Sequence, residues 1–366
     1  MRTNFGIYVH IPFCQSKCVY CNFVSGCYKE EIISKYFEKL WKEIENFHTN
    51  KLVTSIFFGG GTPSSVSHKY IVKTLEIIKN HFRIAKNVEI SLEANPNSVN
   101  LEKLNAYFNA GFNRISFGVQ SLNDETLKFL GRLHTKSQAL EAIKLANSVG
   151  FQNINADILL GVSKEENFNE SIQDLSMAGV THISAYMLIL EKDTKLYSLV
   201  KQKKVELLSE DESIDQYDVI KKILKQQGFK RYEISNFAKA GFECKHNLNY
   251  WTCGEYIGFG VSAHSYLNNR RFSNSDVIEN YLQDKCDTKS EFISKIKQFE
   301  ELIMLGLRTK KGVSLKALNN VGFNPLKNKN VLKLLSLNII RLTKTHLKIT
   351  NKFFGVANQI ILKIIE

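Results

Sequence analysis

Proline is scarce in this chain, four in 366 residues, and no stretch holds the ~18 uninterrupted apolar residues that a membrane-spanning helix needs. The first residues, Met1 to Phe5, offer no apolar signal-peptide core. No membrane span is therefore expected, and a cytoplasmic address follows. Acidic residues are in deficit, 36 against 49 Lys and Arg, for a formal balance of +13. The excess is spread along nearly the whole sequence, where Lys, Asn and Ile are abundant together and Pro is rare. Such a biased composition produces basicity without a nucleic-acid surface, so a nucleic-acid partner is not expected. A content of 43% hydrophobic and 11% aromatic residues excludes disorder and fibrous folds. The length suits one large domain with a smaller one.

Seven cysteines are an odd number, and four of them, Cys14, Cys18, Cys21 and Cys27, crowd into one short segment. A secreted disulfide framework is thereby disfavoured, and metal or redox chemistry in a reducing compartment is favoured. Cys244, Cys253 and Cys286 are scattered and are expected to be small packing residues.

Short apolar, β-rich runs alternate with stretches of helical period through the first half of the sequence, the pattern of βα units around a parallel sheet. Six strands are expected at Gly6 to Ile11, Ser55 to Phe58, Val88 to Leu92, Arg114 to Phe117, Ile154 to Ile158 and Ile183 to Tyr186. The first intervening helix repeats Ile32, Ile33, Tyr36, Phe37, Leu40, Trp41 and Ile44 on one face. Leu101, Leu104 and Phe108 mark another, and Gly111, Gly150 and Gly179 stand where left-handed C-terminal caps are expected. The alternation stops beyond Glu191. Residues 1–230 are read as a partial barrel, 231–298 as a connecting region, and 299–366 as a C-terminal unit. That unit reads helix, helix, hairpin-like Ile339 to Ile349 and closing helix, which resembles a winged helix. It lacks a concentrated Arg stripe, so packing or a lid role is expected over DNA binding.

The segment Tyr8-Val-His-Ile-Pro-Phe-Cys14-Gln-Ser-Lys-Cys18-Val-Tyr20-Cys21-Asn-Phe23 follows the first strand directly. A tight loop with cysteines spaced by three and two residues can wrap three thiolates around a cubane cluster. A structural zinc site wants four ligands, usually in two separated pairs, and the second pair is missing. Cys27 or His10 is the remaining candidate for a fourth zinc ligand. Three ligands for four irons leave one iron open to the amino and carboxylate groups of S-adenosylmethionine (SAM). The Cys-x3-Cys-x2-Cys spacing resembles the radical SAM superfamily, and Tyr-Val-His-Ile-Pro-Phe-Cys resembles its oxygen-independent coproporphyrinogen oxidase family. That resemblance covers essentially the whole chain. It implies an incomplete (β/α)6 TIM-like barrel with an extra C-terminal domain, a 4Fe-4S cluster on Cys14, Cys18 and Cys21, and SAM as cofactor.

Such a cofactor must be pinned, because a primary radical that drifts abstracts the wrong hydrogen. The second strand ends in Gly59-Gly60-Gly61-Thr62, where backbone can approach a ligand closely. Glu93 and Asp157 are suited to accept hydrogen bonds from an ammonium or ribose hydroxyls, and Gln120 to hold a hydroxyl. Arg132 has the planar fork to clamp a carboxylate. All stand at carboxyl ends of successive strands, or just beyond them, where barrel active sites form. By resemblance, Tyr8, Tyr20, Gly60, Gly61, Thr62, Glu93, Gln120, Arg132 and Asp157 match the family's cofactor site.

The decarboxylating oxidases carry a further Cys two residues after the third cluster ligand; Phe23 stands there in this chain. His246-Asn-Leu-Asn-Tyr250-Trp251 is similar to the His-Asn-x-x-Tyr-Trp signature of the family's heme-chaperone branch, as are the segments around Tyr232 and His264. That resemblance implies heme as ligand, a heme-acceptor protein and an electron donor for the cluster as partners. His246 can supply an imidazole to iron and Tyr250 a phenolate, while Trp251 and Tyr256 offer flat area to a macrocycle. Coproporphyrinogen III oxidation is the alternative activity.

Overall fold

The structure is a computed structural model that describes residues 5–285 and 290–366; Cys286 lies outside the described residues. The chain begins β1 (Phe5–Ile11), α1 (Glu30–Asn46), β2 (Val53–Gly60), α2 (His68–His81), β3 (Ile84–Ala94), α3 (Leu101–Ala110) and β4 (Arg114–Gln120). It continues α4 (Asp124–Phe129), α5 (Lys136–Val149), β5 (Asn153–Leu160), α6 (Phe168–Ala178) and β6 (His182–Met187). The strands β1 to β6 pair in sequence order and all in parallel, as an α/β partial barrel with helices on its outside.

Parallel strands are covered on both faces and so read as near-continuous apolar runs. In β1 every residue is buried except the half-buried Tyr8, whose ring faces the interior cavity described below. The amphipathic stripe of α1 buries Tyr36, Phe37, Leu40 and Ile44 against the sheet. Gly111, Gly150 and Gly179 end α3, α5 and α6 with φ of 101°, 121° and 107°, conformations that L side chains adopt only with strain. Leu101 and Phe108 are corrections: both are exposed, and α3 buries Leu104 and Tyr107 instead. Periodicity alone could not choose between adjacent Tyr and Phe.

Next come α7 (Lys195–Lys201), α8 (Glu210–Gln226), β7 (Lys230–Arg231), β8 (Asn236–Ala238), α9 (Lys245–Trp251), β9 (Glu255–Phe259), β10 (His264–Leu267), β11 (Arg270–Ser273), α10 (Ile278–Leu282) and β12 (Ser290–Phe292). These strands extend both edges of the sheet, in the order β12-β11-β10-β9-β1-β2-β3-β4-β5-β6-β8-β7. β9 runs parallel to β1, with Gly258 opposite Tyr8. That pairing brings the aromatic residues after Trp251 alongside the cysteine loop.

The C-terminal part is α11 (Lys295–Gly306), β13 (Val313–Ser314), α12 (Leu315–Asn320), α13 (Lys329–Ser336), β14 (Ile340–Leu342), β15 (His346–Ile349) and α14 (Ala357–Ile365). A three-stranded sheet, β13-β15-β14, and a hydrophobic cluster around Ile303, Leu318, Val331, Leu347 and Ile361 make it winged-helix-like. The two-residue β13 and the short α12 have no clear period and escape the sequence reading. Among the described residues no helix is long and apolar enough to cross a membrane.

Candidate functional site

The loop between β1 and α1 is fixed by backbone bonds before its side chains are considered. Cys14 N–H donates to the Gly26 carbonyl at 2.9 Å, and Gly26 N–H to Pro12 at 2.9 Å. Gly61 N–H donates to Ile11 and Thr62 N–H to Phe13, each at 2.8 Å, which docks the glycine turn after β2 onto the same loop. The far side of the loop is tied by Val19 N–H to Leu130 and by Leu196 N–H to Val19. A Cβ on Gly60 (φ +110°) would stand 2.5 Å from the His10 ring, and one on Gly61 would stand 2.9 Å from the Ile11 and Phe13 carbonyl oxygens. Only glycine lets the two loops approach this closely.

Between them lies a cavity of about 480 Å³. It is lined by Cys14, Cys18 and Cys21, by Tyr8, Tyr20, Gly60, Gly61, Thr62, Glu93, Gln120, Arg132 and Asp157, and by His246 and Tyr250. The three loop cysteines, the nine residues matched to the cofactor site, and His246 and Tyr250 therefore face one space, whereas Cys27, His10, Trp251 and Tyr256 do not line it. Burial pushes the Cys14 and Cys21 thiols up. Cys27 is exposed and donates its thiol proton to the Gln15 carbonyl at 3.2 Å; it lines no part of this cavity. His10 is engaged at both nitrogens: Nε2 donates to the Val24 carbonyl at 2.9 Å, and Nδ1 accepts from the Tyr8 hydroxyl at 3.0 Å. As placed, neither candidate for a fourth zinc ligand joins the three thiols.

A hydrogen-bonded chain links one cysteine to another. Cys14 Sγ lies 3.5 Å from Thr62 Oγ1, Asn95 Nδ2 donates to Thr62 Oγ1 at 3.0 Å, and Arg132 Nη2 donates to Asn95 Oδ1 at 2.6 Å. Arg132 Nη1 then donates to Cys18 Sγ at 3.4 Å, and Nη2 also reaches the Gly118 carbonyl. Among the described residues the buried Arg132 Nε–H has no partner, an unpaired donor beside the cavity. Asn95 was not singled out in the sequence, although it lies in the Glu93-Ala-Asn-Pro96 strand end. Its role is visible only when β3 and Arg132 are brought together.

Two carboxylates stand on neighbouring parts of the wall. Burial, then the charge of Asp157, pushes Glu93 up to about 8, although Gly60 N–H donates to its Oε2 at 3.2 Å. Burial also raises Asp157, which accepts from Asn155 Nδ2 at 2.8 Å and Ser116 Oγ at 3.4 Å. Burial thus holds both carboxyls toward their neutral form, against the pull of the Arg114 charge. Arg114, fully buried at the start of β4, faces the same cavity with its Nε unpaired among the described residues, and nothing in the sequence pattern marks it. Gln120 holds a left-handed φ of 68°, a strained backbone of the kind that concentrates at binding sites.

His246 and Tyr250 lie deeper, on α9. His246 is 1% exposed, stacks on Phe57, and bonds Ser55 Oγ through Nδ1 at 2.9 Å and the Tyr250 hydroxyl through Nε2 at 2.8 Å. Burial and the charge of Arg114 push it down to about 3. As placed, both ring nitrogens of His246 are engaged, one by Ser55 and one by Tyr250. Cys253 holds a left-handed φ of 53° and lines a second cavity.

Residues 8–175 match the family model of the Radical SAM superfamily, and residues 293–352 that of the HemN C-terminal domain. The "Heme chaperone HemW" of Lactococcus lactis is 33% identical over 97% of this chain and 96% of its own length. That of Escherichia coli is 37% identical over 70% of this chain and 69% of its own. A mouse protein named "Radical S-adenosyl methionine domain-containing protein 1, mitochondrial" is 32% identical over 85% of this chain and 75% of its own. Among solved structures, coproporphyrinogen III oxidase (HemN) from Escherichia coli superposes with a TM-score of 0.83, covering 99% of this chain and 90% of that one at 20% identity, a likeness of fold.

Proposed function

The chain belongs to the HemW family within the radical SAM superfamily, and from that membership we propose that it is a heme chaperone, binding heme and passing it to an acceptor protein in the cytoplasm. One observation supports the cofactor part above others: three thiols and the whole expected SAM set line a single cavity, laced together from Cys14 through Thr62, Asn95 and Arg132 to Cys18.

The donor set fits a 4Fe-4S cluster with one iron left to an exchangeable ligand. Cys14, Cys18 and Cys21 would hold it, with neither Cys27 nor His10 placed to complete a fourth bond. When bound, the cluster supplies one electron at a time from an external donor protein to the sulfonium of SAM. The chain's own residues do the positioning. Glu93 and Asp157 are matched to the ligand's ammonium and ribose hydroxyls, and the turn at Gly60 and Gly61 admits backbone contact. Arg132, with an unpaired Nε–H, is matched to a carboxylate. Tyr8 and Tyr20 exclude water around them, and Gln120 offers its amide to a hydroxyl.

In this reading the barrel of residues 1–230 carries the cluster and SAM, the region 231–298 contributes the heme side, and 299–366 packs beneath or closes over it. Phe23 in place of a further Cys favours heme handling over coproporphyrinogen oxidation. The test is anaerobic reconstitution with iron and sulfide, then heme titration with and without SAM. Saturable heme binding together with a cluster supports the chaperone reading. Conversion of coproporphyrinogen to protoporphyrinogen in the presence of SAM and reductant overturns it.

A further inference from the structure

A second cavity of about 480 Å³ adjoins the first. Tyr8, Phe23 and Tyr250 line both and form the partition between them. Its volume lies within the range of pockets that bury ligands larger than a metabolite. Its walls are aromatic. Tyr256 on β9 meets the Tyr250 ring edge-on at 4.6 Å, Tyr266 comes from β10, and Phe23, 64% exposed, stands at the mouth. Large flat side chains around one space suit a planar, largely apolar molecule with a polar rim.

The possible iron ligands in this cavity can be compared one by one. His10 has both nitrogens engaged, by Val24 and Tyr8. Cys253 is half-buried in the wall, and burial first and then the charge of Glu301 push its thiol up to about 12. Tyr266 is buried, and Tyr256 is half-buried with its ring packed edge-on against Tyr250. His264 differs from all of these. It sits two residues before Tyr266 on β10, hence on the same face of the strand. Its side chain is exposed, and its imidazole makes no hydrogen bond to any described residue. A neutral imidazole ligates iron through a lone pair with no proton to lose. Arg271, across β10 and β11 from Tyr266, is held by Glu301 at 2.9 Å and keeps further N–H donors for a carboxylate at the cavity wall.

We propose that the second cavity is the heme site, where His264 would ligate the iron and Tyr256, Tyr266 and Phe23 would offer flat apolar surface to the ring. The proposal rests on the heme-chaperone reading above and moves the iron ligand away from His246. It also gives the two ligands a shared wall: heme on one side of Tyr8 and Tyr250, and the cluster cavity on the other.

The test is a heme titration of the full chain followed by the Soret band and by electron paramagnetic resonance of the ferric complex. The proteins compared are wild type, His264→Ala, His264→Gly with and without added imidazole, and His264→Met. Because His264 is exposed, the variants are expected to keep the wild-type thermal midpoint. Expected are a loss of at least tenfold in affinity and a changed ferric spectrum for His264→Ala, recovery of both in His264→Gly by imidazole, and a distinct ligand field in His264→Met. Wild-type binding with unchanged affinity and spectrum in all three variants overturns this assignment and leaves the chaperone reading standing. Absence of heme binding by the wild-type protein overturns both.

Discussion

His246 Nε2 and the Tyr250 hydroxyl lie 2.8 Å apart on one face of α9, four residues from each other, while the opposite ring nitrogen of His246 bonds Ser55. The histidine is thus a strut between β2 and α9. Replacing it with Ala strands two buried hydroxyls and opens a void beside Phe57. The expected loss is about 2–4 kcal/mol of unfolding free energy, measured by denaturant titration. The Soret band at saturating heme should be that of wild type.

Glu93 sets a pH dependence for cofactor binding. Its carboxyl is raised from 4.5 to about 8, so it is neutral through most of the physiological range, and a cationic ligand binds its ionised form better. Affinity for SAM should rise as pH increases through about 8 and flatten above it. Stability of the ligand-free protein should move the other way. A carboxyl that holds its proton more tightly when folded stabilises less as pH rises from about 4.5 through about 8. Glu93→Gln should flatten both profiles and weaken SAM binding at alkaline pH. Isothermal titration and thermal melts across pH report the two effects, and a wild-type affinity independent of pH would count against the role.

Arg132→Lys keeps the charge but not the fork that spans Asn95, the Gly118 carbonyl and Cys18. SAM affinity is expected to fall about tenfold, ~1.4 kcal/mol, with iron and sulfide content after reconstitution retained. Asn95→Ala should act in the same direction by freeing both Arg132 and Thr62. Equal loss of iron and of SAM binding in both variants would instead make the chain purely structural.

Gly60→Ala is expected to cost about 2 kcal/mol or more. Its φ of +110° disfavours any Cβ, and the added atom would stand 2.5 Å from the His10 ring. That ring cannot yield, being held by Val24 and Tyr8. A thermal midpoint at the wild-type value would show that the two loops are less tightly docked than described.

The six parallel strands were legible because their buried runs are nearly continuous, yet each proves longer than its apolar stretch. β2 runs to Gly60 and β4 to Gln120, since strand ends that face a ligand are polar or lack side chains and so break the pattern. The cysteine loop and the residues at strand ends were equally legible, as local spacing and position along each βα unit place them. β9 to β12 were not legible. They are short, and only β9 among them pairs with β1, across most of the chain, while β10 to β12 follow it in antiparallel order. Asn95 and Arg114 escaped for a related reason: a buried polar side chain is recognisable only through partners distant in sequence. His246 shows the limit most clearly. Its residue type suits iron, but Ser55 and Tyr250 already use both of its nitrogens.

The cluster is tested most directly by spectroscopy of protein reconstituted anaerobically with iron and sulfide. The result expected is about four irons per chain, lost on replacing Cys14, Cys18 or Cys21 but not Cys27, and a reduced-cluster resonance that shifts when SAM is added. A colourless protein holding zinc on four protein donors, or a cluster resonance indifferent to SAM, would contradict an iron left open among the three thiols.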